Sequence, residues 1–178
     1  MVSENITRRR DEYMEVMHAH RTKSPAEIIE SVRETQEQLL SLFSSCSAEE
    51  ALRKPAADEW CLRDLALHSM FTERLVGKLV HHMSRGSLPP PEDLQGAGVG
   101  MMPKNDDREY NAILSDLREA NAALLDAVRD LPAEPNVEFL VPHAFFGPLN
   151  CLEWAGFERV HDTDHIQHAQ TILAGMHR

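Results

Sequence analysis

The sequence predicts an all-α protein, a four-helix bundle with an extra N-terminal helix. Four segments repeat apolar residues with the 3.6-residue period of an α-helix. Capping residues stand before several of these segments, and prolines and glycines collect between them. Each segment has one apolar stripe, and four stripes are buried most economically against one another. The 178 residues suffice for a single domain with a core.

The first bundle helix is predicted to begin after Ser24, which is followed by Pro25 in the first turn and by Glu27 three residues after the cap. This helix should end near residues 44–47. Its apolar stripe consists of Ile28, Val32, Thr35, Leu39 and Leu42.

A shorter amphipathic helix is predicted before the bundle, over residues 4–20. Its narrow apolar side carries Ile6, Tyr13 and Met17. We therefore divide the chain into an N-terminal helical extension, residues 1–22, and a bundle domain, residues 23–178. Because the cap at Ser24 is complete by itself, we expect the bundle to fold without the extension.

The second bundle helix should begin near residues 60–61 and end before Gly86, where a proline- and glycine-rich loop follows. Its inner stripe consists of Leu65, His68, Phe71, Thr72, Leu75 and Leu79. The third helix is predicted over residues 105–129. Its apolar face consists of Tyr110, Ile113, Leu114, Leu117, Leu124, Leu125 and Val128.

The fourth helix is predicted to start at Asn150, with Glu153 completing the cap, and to run to about residue 174. The apolar segment before it is irregular, and residues 137–141 are too short and isolated to predict a strand.

The composition excludes several classes of protein. A net charge of −11 argues against nucleic acid as a main partner, because phosphate binding needs a basic face. No apolar run approaches the ~20 residues of a membrane span, and the polar start does not resemble a signal peptide. Three cysteines without a CxxC pair, Cys46, Cys61 and Cys151, indicate reduced thiols. We expect a cytoplasmic protein.

Four histidines occupy positions where a bundle normally buries apolar side chains. His161, His165 and His168 share one stripe of the fourth helix with Trp154, and His68 lies on the inner stripe of the second. Two imidazoles one turn apart can bind one ion, and a third ligand must then come from a neighbouring helix. The spacing predicts a metal site of His68, His161 and His165 with an open coordination position.

Other interpretations of these residues remain open. Each histidine can be a hydrogen-bonded core residue. The run HDTDH has the spacing of the zinc-protease HExxH motif, but Asp162 stands where the longer glutamate belongs. Glu158 and His161 form one ExxH unit of a di-iron bundle, and the four predicted bundle helices contain no second unit. Asp162 and Asp164 are expected to be solvated or to orient an imidazole N–H. The remaining histidines are interpreted as surface or loop residues: His18, His20, His81, His82, His143 and His177.

Together, Trp60 and His68 in EWCLRDLALH, the segment HAFFGPLNCLEW and the late run ERVHDTDHIQHAQTIL resemble the DinB/YfiT-like superfamily. The resemblance spans roughly residues 24–174. It implies an up-down-down-up bundle, a divalent metal on His68, His161 and His165, and a homodimer. Its characterised members include S-transferases that use bacillithiol, glutathione or mycothiol. His168 stands where these proteins usually carry glutamine.

The first functional hypothesis is therefore a metal-dependent enzyme, with Zn or Ni as the preferred ion and Fe after them. Its substrate would be a small molecule, with a low-molecular-weight thiol among the candidates, and His168 would carry protons as a catalytic residue. A metal-dependent hydrolase is an alternative within the same class. The second hypothesis is a non-catalytic stress-response protein that binds a metal or ligand. Neither hypothesis includes nucleic acid or a membrane as a partner.

Overall fold

The computed structural model describes residues 9–94 and 106–176, and within these ranges it is almost entirely helical. The helices are α1 (Arg10–Ala19), α2 (Pro25–Phe43), α3 (Ala48–Ala51), α4 (Leu62–Met83), α5 (Tyr110–Arg129) and α6 (Cys151–Met176). Short 3-10 turns cover His20–Thr22 and Pro91–Leu94. An antiparallel hairpin of β1 (Val141–His143) and β2 (Gly147–Leu149) precedes α6.

Local capping chemistry begins α2 and α6 where the sequence predicts. The Ser24 backbone N–H donates to the Glu27 carboxylate at 2.8 Å, and the Glu27 N–H donates to the Ser24 hydroxyl at 3.4 Å. At α6 the side-chain oxygen of Asn150 accepts from the backbone N–H groups of Leu152 and Glu153, each at 3.0 Å. Of the predicted boundaries, residue 105 and the N-terminal residues up to Ile6 lie outside the described ranges; α5 begins at Tyr110.

Two contacts of α2 fix the directions of its neighbours. Arg159 of α6 donates to the Ser31 carbonyl at 2.6 Å, which joins the first half of each helix, so α2 and α6 run parallel. Tyr110, the first residue of α5, donates through its hydroxyl to the carbonyl of Phe43, the last residue of α2, at 2.8 Å. Helices α2 and α5 are therefore antiparallel.

The contact between α4 and α5 completes the topology. Gly77, in the second half of α4, faces Leu124 in the second half of α5, so these helices are parallel. A Cβ added at Gly77 would lie 3.3 Å from the Cα of Leu124, so the glycine permits a close approach. With α2 and α6 in one direction and α4 and α5 in the other, the bundle is up-down-down-up. The predicted fold class is confirmed.

Helix α1 packs along α6 and contributes to the core. Tyr13, Met17 and His20 are buried, so the interpretation of His20 as a surface residue is wrong. A Cβ at position 156 would come within 2.8 Å of the His20 ring, so Gly156 provides the space that this imidazole occupies. No local feature of the sequence indicates this contact, which joins residues far apart in the chain.

The hairpin was not predicted. Its first strand begins at Val141, the last residue of the run 137–141 that is too short and isolated to predict a strand. Each strand has three residues, which is too short for an alternating pattern to appear. Gly147 follows the turn with φ +76°, a conformation that favours glycine.

Across the described part of the chain, no helix combines the length and apolar character that crossing a membrane requires.

Candidate metal centre

Three imidazoles converge between α4 and α6. The Nε2 atom of His161 lies 2.9 Å from that of His68 and 3.0 Å from that of His165. All three rings are buried, and one nitrogen from each lies within 4.8 Å of the other two. The structure thus brings together the three predicted ligands, one from α4 and two from successive turns of α6.

The spacing of these nitrogens fits a small divalent ion. Metal–nitrogen bonds of about 2.0–2.1 Å in tetrahedral geometry hold the ligand atoms about 3.3 Å apart. The observed separations of 2.9 and 3.0 Å need to widen by only a few tenths of an ångström. Three ligands leave the fourth position of a tetrahedral ion open.

The environment keeps these imidazoles in the form that binds metal. Burial lowers the pKa of His161 to about 4. Burial, followed by the neighbouring His161 and His68, lowers the pKa of His165 well below its usual range. Near pH 7 both rings are therefore neutral, as coordination requires.

A carboxylate orients the central ligand. Glu158, one turn before His161 on α6 and fully buried, lies 3.1 Å from the His161 Nδ1 atom through Oε1. When Nε2 serves as the metal ligand, the ring proton is on Nδ1 and donates to this carboxylate. The ExxH unit seen in the sequence is thus present as a hydrogen-bonded pair.

Behind the imidazoles lies a group of buried acids that the sequence did not indicate. Glu73 of α4, Glu158 and Asp162 are each at most 1% exposed. Burial, followed by the charge of Glu158, raises the pKa of Asp162 well above its ordinary range. Burial raises the pKa of Glu158 to about 8, and burial with the other two acids raises that of Glu73.

The expectation that Asp162 and Asp164 are solvated is wrong, because both are buried. Glu158 pairs with the ligand imidazole of His161. Helix α6 contacts α1, α2 and α4, so side chains that a two-sided pattern would assign to solvent face another helix instead.

His168 lies at the edge of the site rather than within the group of three. Its ring stacks on Trp60 with centroids 6.4 Å apart, and the Trp60 ring lies 5.0 Å from that of His68. Both His168 and Trp60 are half-buried. Burial lowers the pKa of His168, while the charges of Asp164 and Glu59 oppose that shift.

A further histidine outside the group of three ligands, His143 of the hairpin, lies on another side of the site. It packs within an aromatic cluster, 4.7 Å from Phe157 between ring centroids, and Phe157 in turn lies 5.4 Å from His161. Burial lowers the pKa of His143 to about 4, followed by the effect of His161. The interpretation of His143 as an ordinary surface or loop residue therefore misses its position beside the site.

The cysteines of the chain are poor nucleophiles. Cys151, at the start of α6, is buried, and burial raises the pKa of its thiol to about 11. Burial also raises the pKa values of Cys46 and Cys61. The thiolate that a helix start favours is therefore absent at Cys151 near neutral pH.

The up-down-down-up topology and the three converging imidazoles place this protein in the class of four-helix bundles with a candidate metal centre. The family model of the DinB superfamily matches residues 10–169, and the chain belongs to this superfamily. The match begins well before residue 24, where the resemblance in the sequence began. It therefore includes α1.

Solved structures support the fold. A four-helix bundle protein, TT2238, is 19% identical, with a TM-score of 0.61 over 83% of this chain and 99% of the other. The mycothiol-dependent maleylpyruvate isomerase is 16% identical, with a TM-score of 0.59 over 82% of this chain and 62% of the isomerase. A variant of that isomerase gives 14% identity and a TM-score of 0.61 over the same shares. No curated protein matches this sequence.

Proposed function

We propose that the protein is a metal-dependent enzyme that binds a divalent ion, Zn or Ni before Fe, through His68, His161 and His165. The observation that carries the proposal is the convergence of three buried Nε2 atoms, two of them only 2.9 and 3.0 Å from the third. These nitrogens can contact one another as imidazole–imidazole hydrogen bonds, in which one ring donates through Nε2 and the other accepts, when there is no shared ion. With one, each nitrogen has a ligand bond.

The open coordination position gives the site its chemistry, since a divalent ion lowers the pKa of a bound thiol or water. The surrounding residues serve that reaction. Glu158 holds the His161 ring in one tautomer. His168, half-buried against Trp60, is accessible for moving a proton between the site and solvent.

Among the reactions available to such a site we propose thiol-dependent S-transfer. Desolvation raises the pKa values of all three cysteine thiols, which favours a small molecule as the source of the thiolate. The mycothiol-dependent isomerase with a similar fold is consistent with a low-molecular-weight thiol as substrate. We further propose that the protein acts in the cytoplasm as a homodimer, without nucleic acid as a partner.

Metal analysis followed by thiol conjugation tests the function. Untagged protein is stripped with chelator and titrated with Zn²⁺ and Ni²⁺. The loaded form is then offered bacillithiol, glutathione and mycothiol with an electrophile such as 1-chloro-2,4-dinitrobenzene. We expect metal-dependent conjugation with one of the thiols and an exchangeable water on the ion. Hydrolysis without thiol would favour the hydrolase alternative, and a closed four-coordinate ion would favour a non-catalytic protein.

A further inference from the structure

The carboxylates behind the three imidazoles lack the cations that buried acids normally have. Among the described residues, no lysine or arginine lies within ion-pair distance of Glu73, Glu158 or Asp162. Glu73 accepts two hydrogen bonds from the Gln36 amide, at 3.0 and 3.1 Å, and is satisfied in that way. Glu158 has the His161 ring nitrogen as partner at one oxygen, Oε1.

Three carboxylate oxygens are left without hydrogen-bond partners. These are Oε2 of Glu158 and both oxygens of Asp162. The Thr35 hydroxyl donates to the Val32 carbonyl at 2.9 Å, although it lies near enough to Asp162 to lower the pKa of that carboxyl group. Buried polar atoms are nearly always paired, so three orphaned oxygens on adjacent side chains indicate a missing partner.

The same side chains have the geometry of a cation site. One oxygen from Glu158, one from Asp162 and one ring nitrogen of His161 all lie within 4.8 Å of one another. Bonds of about 2.0–2.4 Å to one ion require that ligand atoms be no farther apart than this. The nitrogen that faces Glu158 is Nδ1, whereas Nε2 faces His68 and His165.

We propose that a second divalent cation binds Glu158, Asp162 and Nδ1 of His161, so that the His161 ring lies between two ions. This inference goes beyond the proposed function, and the two share His161 as a ligand and Glu158, which orients the His161 ring in the first site and binds the ion in the second. Two carboxylates and one imidazole favour a harder ion than three imidazoles do, with Mn²⁺ the natural probe. Binding displaces the Nδ1 proton of His161, which passes to solvent together with any proton held by the two carboxyl groups.

Mn²⁺ titration of the chelator-treated full chain tests the proposal. Electron paramagnetic resonance counts the ions bound and shows whether two lie close enough for their spins to couple. We expect two equivalents in the unmodified protein with a coupled signal. Asp162→Asn should bind one, with a simple six-line spectrum. Loss of a direct ligand should weaken the second ion beyond the roughly 10–100-fold that loss of an outer partner causes.

Four further variants make every outcome decisive. Glu158→Gln repeats the test at the other carboxylate, so the result does not depend on the folding of one variant. Asp164→Asn makes the same chemical change two residues away and should retain two equivalents. The double variant His68→Ala with His165→Ala should still bind one ion. Adding Asp162→Asn to this double variant should abolish the binding of that ion.

The two sites fail in different ways. One equivalent that survives Asp162→Asn and disappears in the double histidine variant would overturn the second site and leave the proposed function intact. One equivalent that survives in the double histidine variant and disappears in Asp162→Asn would overturn the three-histidine site alone. Two equivalents in Asp162→Asn would place the second ion elsewhere and overturn the proposal, and no bound ion would overturn both sites.

Discussion

Helix α6 buries acidic side chains at two places, and the two places differ in what surrounds them. Glu153, in the first turn, is fully buried but pairs with Arg21 at 2.7 Å and with His18, and it accepts from the Asn150 N–H at 2.9 Å. About one and a half turns later comes Glu158 and a turn after it Asp162, both equally buried, and no lysine or arginine of the described ranges pairs with either of them. The first place joins α1 to α6, whereas the second adjoins the candidate metal centre.

The difference is visible in the pKa values. Burial by itself would raise the pKa of Glu153, but Arg21, the Asn150 N–H and His18 lower it below its ordinary value. At Glu158, burial acts unopposed and raises the pKa to about 8. A buried carboxylate that its own fold satisfies is structural, whereas one left unsatisfied beside converging imidazoles indicates a binding site.

The largest expected effect is on metal binding. His165→Ala leaves two ligands, so affinity for Zn²⁺ should fall by more than about 100-fold. The exposed His81→Ala is the control and should bind normally. Because burial lowers the pKa of His161 to about 4, binding by the unmodified protein should persist at pH 5. Isothermal titration calorimetry measures both quantities, and equal affinities for the two variants would contradict the assignment.

Removal of α1 tests the structural end of α6. A chain that begins at Lys23 loses the buried side chains of Tyr13 and Met17, worth roughly 3–6 kcal/mol before the entropy of ordering the helix is subtracted. It also leaves Glu153 buried without Arg21. We expect the free energy of unfolding to fall by at least about 2 kcal/mol, the opposite of the expectation from the sequence that residues 23–178 fold alone.

Urea unfolding followed by circular dichroism measures this effect, with a chain that begins at Arg9 as the matched control because it retains α1. Equal unfolding midpoints for the two chains would show that residues 1–22 are a separate extension, as the sequence suggested.

Two isosteric substitutions should change stability with opposite pH dependence in metal-free protein. The pKa of Glu153 is lowered, so its contribution is present above the ordinary value of 4.5 and is lost as pH falls through the folded value. Glu153→Gln should therefore cost about 1–3 kcal/mol at pH 7 and less in acid.

The pKa of Glu158 is raised to about 8, so its protonated carboxyl group stabilises the folded state. This contribution is fully present below pH 4.5, the ordinary pKa of a glutamate, and is lost as pH rises toward 8. Glu158→Gln should leave stability at pH 5 nearly unchanged and flatten the decline between pH 5 and 8. Unfolding curves from pH 3 to 9 measure both variants. Parallel pH profiles for the two variants would remove the distinction between the two places on the helix.

The smallest effect on metal content is expected for His168→Gln, which restores the residue usual in similar proteins. The His168 ring stacks on Trp60 outside the group of three ligands, so metal affinity should stay within about twofold. If His168 carries protons, the metal-dependent rate should fall by about 100-fold with a changed pH profile. Loss of metal would instead make it a ligand, and an unchanged rate would exclude both roles.

The sequence was most informative where the determinants are local. The cap at Ser24 depends on residues three positions apart, and the one-turn spacing of His161 and His165 depends on helix geometry alone. The pairing of His68 with them followed from its place on an inward stripe. Residue pattern was therefore sufficient for the bundle and for the three converging imidazoles.

What the sequence did not reveal depends on contacts between distant segments. Asp162 looks like a solvated neighbour of two ligands, but α2 covers it. His20 looks like a linker residue, and only the space at Gly156 shows where its ring lies. Because α6 contacts helices on several sides, the usual contrast between an apolar and a polar face does not show which of its side chains are buried.

The stacking of Trp60 at the edge of the site also gives the protein a built-in optical reporter. The sequence has two tryptophans, and the other, Trp154, packs 5.4 Å from the His143 ring in the aromatic cluster below the hairpin. In a Trp154→Phe background, ultraviolet emission would come from Trp60 alone. Its indole lies 5.0 Å from the His68 ring and 6.4 Å from the His168 ring between centroids, so quenching by a paramagnetic ion or by an entering substrate would follow occupancy in real time, without a label.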